Sequence, residues 1–204
     1  MPSALRSILN AKPFLWALLA IPAALIVSGY LSGEALPGDY LHETGEWSAR
    51  LIIFALMLTP LSMLLRGRSW VAWLLRRRRA FGVAAFSYAL LHLIFYVLDM
   101  ETLRNILAEI GALSIWTGWA ALLLMLPLAL TSNEASVRAL KAGWKRLQRL
   151  AYPAALLTLA HWVFVHDNLV PALVSFAPLA LLEGWRVARS LRRGSSRGHR
   201  SAPI

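Results

Sequence analysis

A membrane-embedded all-α helical bundle is the fold class this sequence predicts, on three observations. Apolar residues make up 58% of the 204-residue chain and the mean hydropathy is +0.58, whereas soluble domains are about half apolar and lack long charge-free runs. Six apolar runs of spanning character recur, at about 13–31, 47–65, 80–98, 110–130, 150–165 and 169–185. The charges gather between these runs rather than inside them.

Each run is justified by length and by its flanks. A helix needs about 20 residues, with a range of about 17 to 25, to cross the hydrocarbon core, so the first four fit. The basic segment before the first run imitates a signal peptide, but Ser28-Gly29-Tyr30-Leu31 is a poor small-x-small cleavage site, so the run is kept as a helix. The last two runs are short and joined through His166-Asp167-Asn168, with Pro171 near a first turn, which predicts a tight helical hairpin. Pro22, Pro60, Pro127, Pro153 and Pro178 fall within the runs, where they kink membrane helices at tolerable cost. Residues 1–190 read as one transmembrane domain, and 191–204 as a disordered basic cytoplasmic tail.

Charge sets the orientation, because Lys and Arg are retained on the cytoplasmic side. With six crossings, 19 of the 21 Lys and Arg residues fall on the side of the N-terminus, the second and fourth loops and the tail. Eight of the ten acids, from Glu34 to Asp167, fall on the other side. A five- or seven-helix count scrambles this segregation, so six helices with both termini cytoplasmic are expected. The net charge of +11 does not point to nucleic acid, because the bases punctuate apolar runs instead of forming one wet face.

With no cysteine, disulfides, thiolate metal sites and covalent c-type haem are excluded, and any metal centre must rest on His42, His92, His161, His166 or His199. An imidazole at membrane depth is expensive and is a functional hypothesis by default. His92 precedes the outer end of the third run, near Asp99, by about seven residues, and His161 precedes Asp167 by six. At 1.5 Å per residue both lie roughly 9–10 Å below the outer interface. Such histidines can simply hydrogen-bond a neighbouring helix, but two at matched depth on different helices are what a bridging metal requires.

Zinc wants three or four protein ligands, and no acid lies inside the third to fifth runs. Haem iron needs two axial ligands and an apolar, aromatic slot, for which Phe86, Tyr88, Phe95, Tyr96, Trp116, Trp119, Trp162 and Phe164 are candidates. Bis-histidine ligation suits electron transfer better than oxygen chemistry. His42 reads as a solvated or helix-capping residue of an outer loop, with a haem-proximal, ligating role as its alternative. His166 reads as interfacial, an alternative ligand or a donor to a haem propionate. His199 falls in the tail.

Several ordered motifs carry a family likeness. They are His42-x-Thr44-Gly45, Leu58-Thr59-Pro60-Leu61, Arg78-Arg79-x-x-Gly82 leading to Leu91-His92-Leu93, Leu130-Thr131-Ser132, Trp144-x-x-Leu147 with Tyr152, and His161. The chain resembles the MsrQ family, haem-binding membrane subunits of the bacterial periplasmic methionine sulfoxide reductase system, related to ferric-reductase-like transmembrane domains. The resemblance implies an inner-membrane conduit, with His92 and His161 as axial ligands of a haem b near the periplasm. It also implies FMN, electrons from the quinone pool or a cytoplasmic flavin reductase, and a periplasmic molybdopterin-containing partner that reduces methionine sulfoxide.

One position departs from the family: Gln148 follows Leu147 where a histidine is common. A neutral amide is a poor haem ligand, which leaves an inner-side centre absent, differently ligated, or replaced by flavin or quinone. Arg76 to Arg79 and Arg146 read as topogenic charge meeting anionic lipid, or as partners of a flavin phosphate or haem propionate. Two other readings stay open: a ferric or cytochrome b type reductase with a different partner, and a non-redox transporter or assembly protein.

Overall fold

The computed structural model of the chain describes residues 12–165 and 169–198. Arg6, the expected turn at 166–168 with His166, and His199 with the remainder of the tail lie outside the described residues. Among the described residues there are ten α-helices: α1 (Lys12–Leu31), α2 (Pro37–Leu64), α3 (Ser69–Arg76), α4 (Arg78–Met100), α5 (Leu103–Ala108), α6 (Leu113–Leu130), α7 (Glu134–Leu140), α8 (Ala142–Leu147), α9 (Ala151–Val165) and α10 (Leu169–Gly198), with a 3-10 turn at Gln148–Leu150 before α9. Five helices are long and apolar enough to cross a membrane: Pro13–Leu31, α2, α4, α6 and Leu169–Arg192. The fifth run of the sequence forms α9, which at 15 residues is shorter than those five.

Four helices make the core. Ser48 Oγ on α2 donates to the Ala85 carbonyl on α4 at 2.9 Å, and Arg78 Nε at the start of α4 donates to Ala55 O on α2 at 2.9 Å, so α2 and α4 run antiparallel. The α6–α9 pair is antiparallel as well: His161 near the end of α9 meets Ser114 near the start of α6, and Gln148 just before α9 meets Leu128 near the end of α6. The packing then closes into a ring, α2 on α4, α4 on α6, α6 on α9 and α9 on α2, with α1 against α2 and α4 and α10 against α2 and α9. α4 and α9 therefore face each other along a diagonal, the kind of position in which bundles place cofactors.

Small buried residues, Ala49, Ala55, Ala84, Ala85, Ala154 and Ala155, let the backbones approach. Large apolar side chains point outward instead, among them Leu25, Ile94, Leu123, Leu156 and Leu181. A soluble protein rarely exposes such a surface; lipid removes the penalty.

The helices depart from the sequence expectation in five places. α2 begins ten residues earlier than the apolar run, because Pro37 is preorganised for a first helical turn and Asp39 accepts the Leu36 N–H at 3.1 Å. The second loop contains α3, and the expected helix at 110–130 starts at Leu113, preceded by α5, whose cap Thr102 accepts from the Asn105 N–H. Pro153 stands third in α9, where its missing N–H costs nothing. The last helix continues to Gly198, past the start of the expected tail.

Pro22 removes a hydrogen bond from α1, and α4 fills the opening beside it. The Tyr88 hydroxyl donates to Leu19 O and accepts from Ala23 N–H, both at 2.9 Å, and so stands between two groups that an unbroken helix would pair with each other.

Candidate haem-binding site

His92 projects from α4 and His161 from α9, and their rings meet across the bundle with centroids 6.0 Å apart and planes at 86°. Each imidazole is oriented by a carbonyl of the other diagonal. His92 Nδ1 lies 2.8 Å from Leu41 O on α2, and His161 Nδ1 lies 2.7 Å from Ser114 O on α6. A carbonyl can only accept, so both Nδ1 atoms carry a proton, which in a neutral imidazole leaves the lone pair on Nε2. This is the arrangement in which metal-ligating histidines are found, with the remote N–H tied to a backbone oxygen.

Two glycines complete the level. A Cβ on Gly45 of α2 would stand 2.9 Å from His92 Nδ1 and 3.0 Å from its Cε1; one on Gly118 of α6 would stand 2.9 Å from both Cε1 and Nδ1 of His161. Each of the four core helices thus supplies one element at this height: an imidazole from α4 and α9, a bare backbone from α2 and α6. Gly45 is in a motif the sequence singled out; Gly118 was missed, and its signal is a glycine inside an otherwise unbroken apolar helix.

Two cavities flank the imidazole pair and share Gly45, His92, Tyr96, Ile115, Thr158 and His161. The outer one holds about 500 Å³ and reaches His42, Glu109 and Phe164; the inner of the two holds about 110 Å³ over Trp119, Leu122 and Met125. Tyr96 donates to Glu109 Oε2 at 3.3 Å on the outer side.

The aromatic lining expected from the sequence is half present. Tyr96, Trp119, Trp162 and Phe164 line these cavities. Phe86, Tyr88, Phe95 and Trp116 do not, because the helical period turns them to other faces. Tyr88 goes to α1, Phe95 packs edge-on against Tyr30, and Trp116 is 59% exposed at the outer surface. His42 is corrected from a loop residue to a helical one. It lies in the second turn of α2, its Nε2 3.5 Å from Glu46, which also holds Arg50 at 2.6 Å.

The residues fit a haem. His92 and His161 would hold the group, their rings facing each other with centroids 6.0 Å apart across an apolar gap, and it would supply a one-electron couple there. Among the described residues no group of three or more His, Cys, Asp or Glu could hold a metal ion. A two-ligand centre in an apolar, aromatic slot suits haem iron and not zinc.

At the other end of the bundle a separate cavity of about 580 Å³ is lined by Arg78, Arg79, Lys145, Gln148, Arg149 and Arg186, with Trp144 and Tyr152. Arg76, Arg77 and Arg146, grouped with these bases in the sequence reading, are not part of its lining. Gln148 uses its amide to close the end of α6, donating to Leu128 O at 3.2 Å and Thr131 Oγ1 at 3.3 Å, beside Trp144 Nε1, which donates to Thr131 O at 2.9 Å. Helix C-termini leave such carbonyls without an intrahelical N–H, and Ser132 Oγ donates to the same Leu128 O at 2.6 Å.

The chain is similar to known proteins. The family described as ferric reductase like transmembrane component matches residues 44–159. The protein-methionine-sulfoxide reductase heme-binding subunit MsrQ of Xanthomonas axonopodis pv. citri (strain 306) is 36% identical over 211 residues, covering 97% of this chain and 94% of that protein. The protein of the same name from Rhizobium meliloti (strain 1021) is 35% identical over 187 residues, covering 87% and 84%. No solved structure matches. With the family model matching more than half of the chain and the first relative matched over nearly its whole length, the chain belongs to the MsrQ family of ferric-reductase-like membrane proteins.

Proposed function

We propose that the chain is the haem b electron-transfer subunit of a protein-methionine-sulfoxide reductase system, with His92 and His161 as the axial ligands. The observation that carries this reading is the facing pair of imidazoles, each with Nδ1–H bonded to a backbone carbonyl and each seated against a glycine. When bound, haem b supplies a one-electron couple whose potential is set by axial ligands and burial. The protein's own contribution is positional. Leu41 O and Ser114 O fix the tautomers, Gly45 and Gly118 leave room for the rings, and Ile115, Trp119 and Leu122 keep water from the slot.

Six crossings with both termini cytoplasmic, in a bacterial inner membrane, fit the packing. α9 lies antiparallel to α6 along its length, so a chain that crosses with α6 returns with α9, although α9 spans only about 22 Å at 1.5 Å per residue. The acid-rich end, with the histidine pair, then faces the periplasm and the base-rich end faces the cytoplasm. Electrons come from the quinone pool or a cytoplasmic flavin reductase and leave to a periplasmic molybdopterin-containing reductase, FMN being a further cofactor in this reading. His42 and Glu109 flank the outer cavity on the side where that partner docks.

Purified protein is expected to show a b-type absorption spectrum on reduction. His92→Ala and His161→Ala should each abolish haem retention, whereas His42→Ala should keep it. Full haem content in both ligand variants would overturn the assignment.

A further inference from the structure

One base lies inside an apolar run. Of the 21 Lys and Arg residues only Arg50 falls within the six runs, and on α2 it stands one turn beyond Glu46, which is itself one turn beyond His42. At this spacing the three share a face of the helix. Arg50 Nη2 donates to Glu46 Oε2 at 2.6 Å, and His42 Nε2 lies 3.5 Å from Glu46 Oε1.

Depth sets this pair apart from a surface ion pair. Gly45 stands against the His92 ring and is therefore level with the histidines, roughly 9–10 Å below the outer boundary. Arg50 is five residues further along α2, about 7.5 Å, which carries it to about 17 Å, close to the middle of a core about 30 Å thick. A guanidinium at that depth is costly and marks a functional site by default. Neutralising it requires only a carboxylate within reach, on any side. The carboxylate it has stands in the wall of the outer cavity with His92 and His161, and Arg50 itself is not part of that lining. Side-chain exposures of 22% for Glu46 and 53% for Arg50 follow the same division. The negative end of the pair faces the histidine level, and the positive end faces away from it.

We propose that Glu46 is the charge that sets the potential of the group held by His92 and His161, and that Arg50 keeps this carboxylate ionised at membrane depth. The proposal rests on the haem reading above. A fixed anion beside a one-electron centre stabilises its oxidised, more positive form, so Glu46 holds the potential down. Across about 10 Å, at an effective dielectric constant of about 20, a unit charge shifts an equilibrium about tenfold, which for one electron is about 59 mV.

The test is a potentiometric titration of the full-length, haem-loaded chain in lipid nanodiscs, read from the absorption spectrum. Glu46→Gln removes the charge at nearly constant shape and should raise the reduced-to-oxidised ratio at fixed potential about tenfold. Glu46→Asp keeps the charge and should stay within about twofold of the native chain. The double variant Glu46→Gln with Arg50→Gln leaves no unpaired guanidinium in the membrane and should shift the same way, by less. Glu43→Gln, on α2 but outside the cavity lining, is the control. The proposal is overturned, and Glu46 only neutralises Arg50, if both Glu46→Gln variants keep the native ratio or both lose the haem. It is overturned equally if Glu43→Gln or Glu46→Asp shifts the ratio as far as Glu46→Gln does. A native chain that shows no b-type spectrum would overturn the haem reading instead.

Discussion

Adding one methyl group at Gly118 sets two opposing effects against each other, and their sizes follow from the structure. The new Cβ would lie 2.9 Å from Cε1 and Nδ1 of His161, against an optimal carbon separation of about 3.5–4.0 Å. The ring cannot slide away freely, because its Nδ1–H is held by Ser114 O at 2.7 Å from one turn earlier on the same helix. Forcing the contact costs about 1–3 kcal/mol as overpacking, or about 0.5–1.5 kcal/mol if the hydrogen bond is given up instead. Alanine returns about 0.8–1.0 kcal/mol of helix propensity. The fold is thus expected to lose no more than about 2 kcal/mol, while the displaced imidazole lowers haem affinity by about 10- to 100-fold, the usual effect of disturbing a group that orients a metal ligand. Gly184→Ala on α10 is the control, since nothing lies within 4 Å of its Cβ. The assay is haem content per chain, from the reduced absorption spectrum, alongside thermal unfolding. If Gly118→Ala keeps its haem and gains as much stability as Gly184→Ala, His161 is not pinned against this glycine and the reasoning fails.

Further outcomes follow from the same contacts. Gly45→Ala should mirror Gly118→Ala through His92, with haem loss exceeding the loss of thermal stability. Tyr88→Phe strands Leu19 O and Ala23 N–H beside Pro22 and should cost about 1–3 kcal/mol, read as a lowered midpoint with haem content unchanged. Gln148→Leu removes a donor to Leu128 O and Thr131 Oγ1 and should cost about 1 kcal/mol without altering the spectrum. Haem stoichiometry should be one per chain, fewer than in a relative with histidine at that position.

Much of this was legible in the chain itself. The diagonal pairing of His92 with His161 followed from matched depths, because membrane thickness converts sequence position into height. Height says nothing of rotation about a helix axis, which is why Phe86, Phe95 and Trp116 were counted toward a slot they do not line. The start of α2 was hidden by composition: Glu34, Asp39, Glu43 and Glu46 read as loop, while Pro37 and Asp39 carried the signal of a helix start. The orienting groups for the imidazoles, Leu41 O and Ser114 O, are backbone atoms, and no side-chain pattern announces them. Gln148 was legible as a missing ligand but not as a cap for α6, since that role depends on where α6 ends.

The central claim is that one iron lies between His92 and His161. Electron paramagnetic resonance of the oxidised, purified protein tests it most directly: a low-spin ferric signal typical of two imidazole ligands is expected, converting to high spin or vanishing in both His92→Ala and His161→Ala. A low-spin signal that survives unchanged in either variant would contradict it.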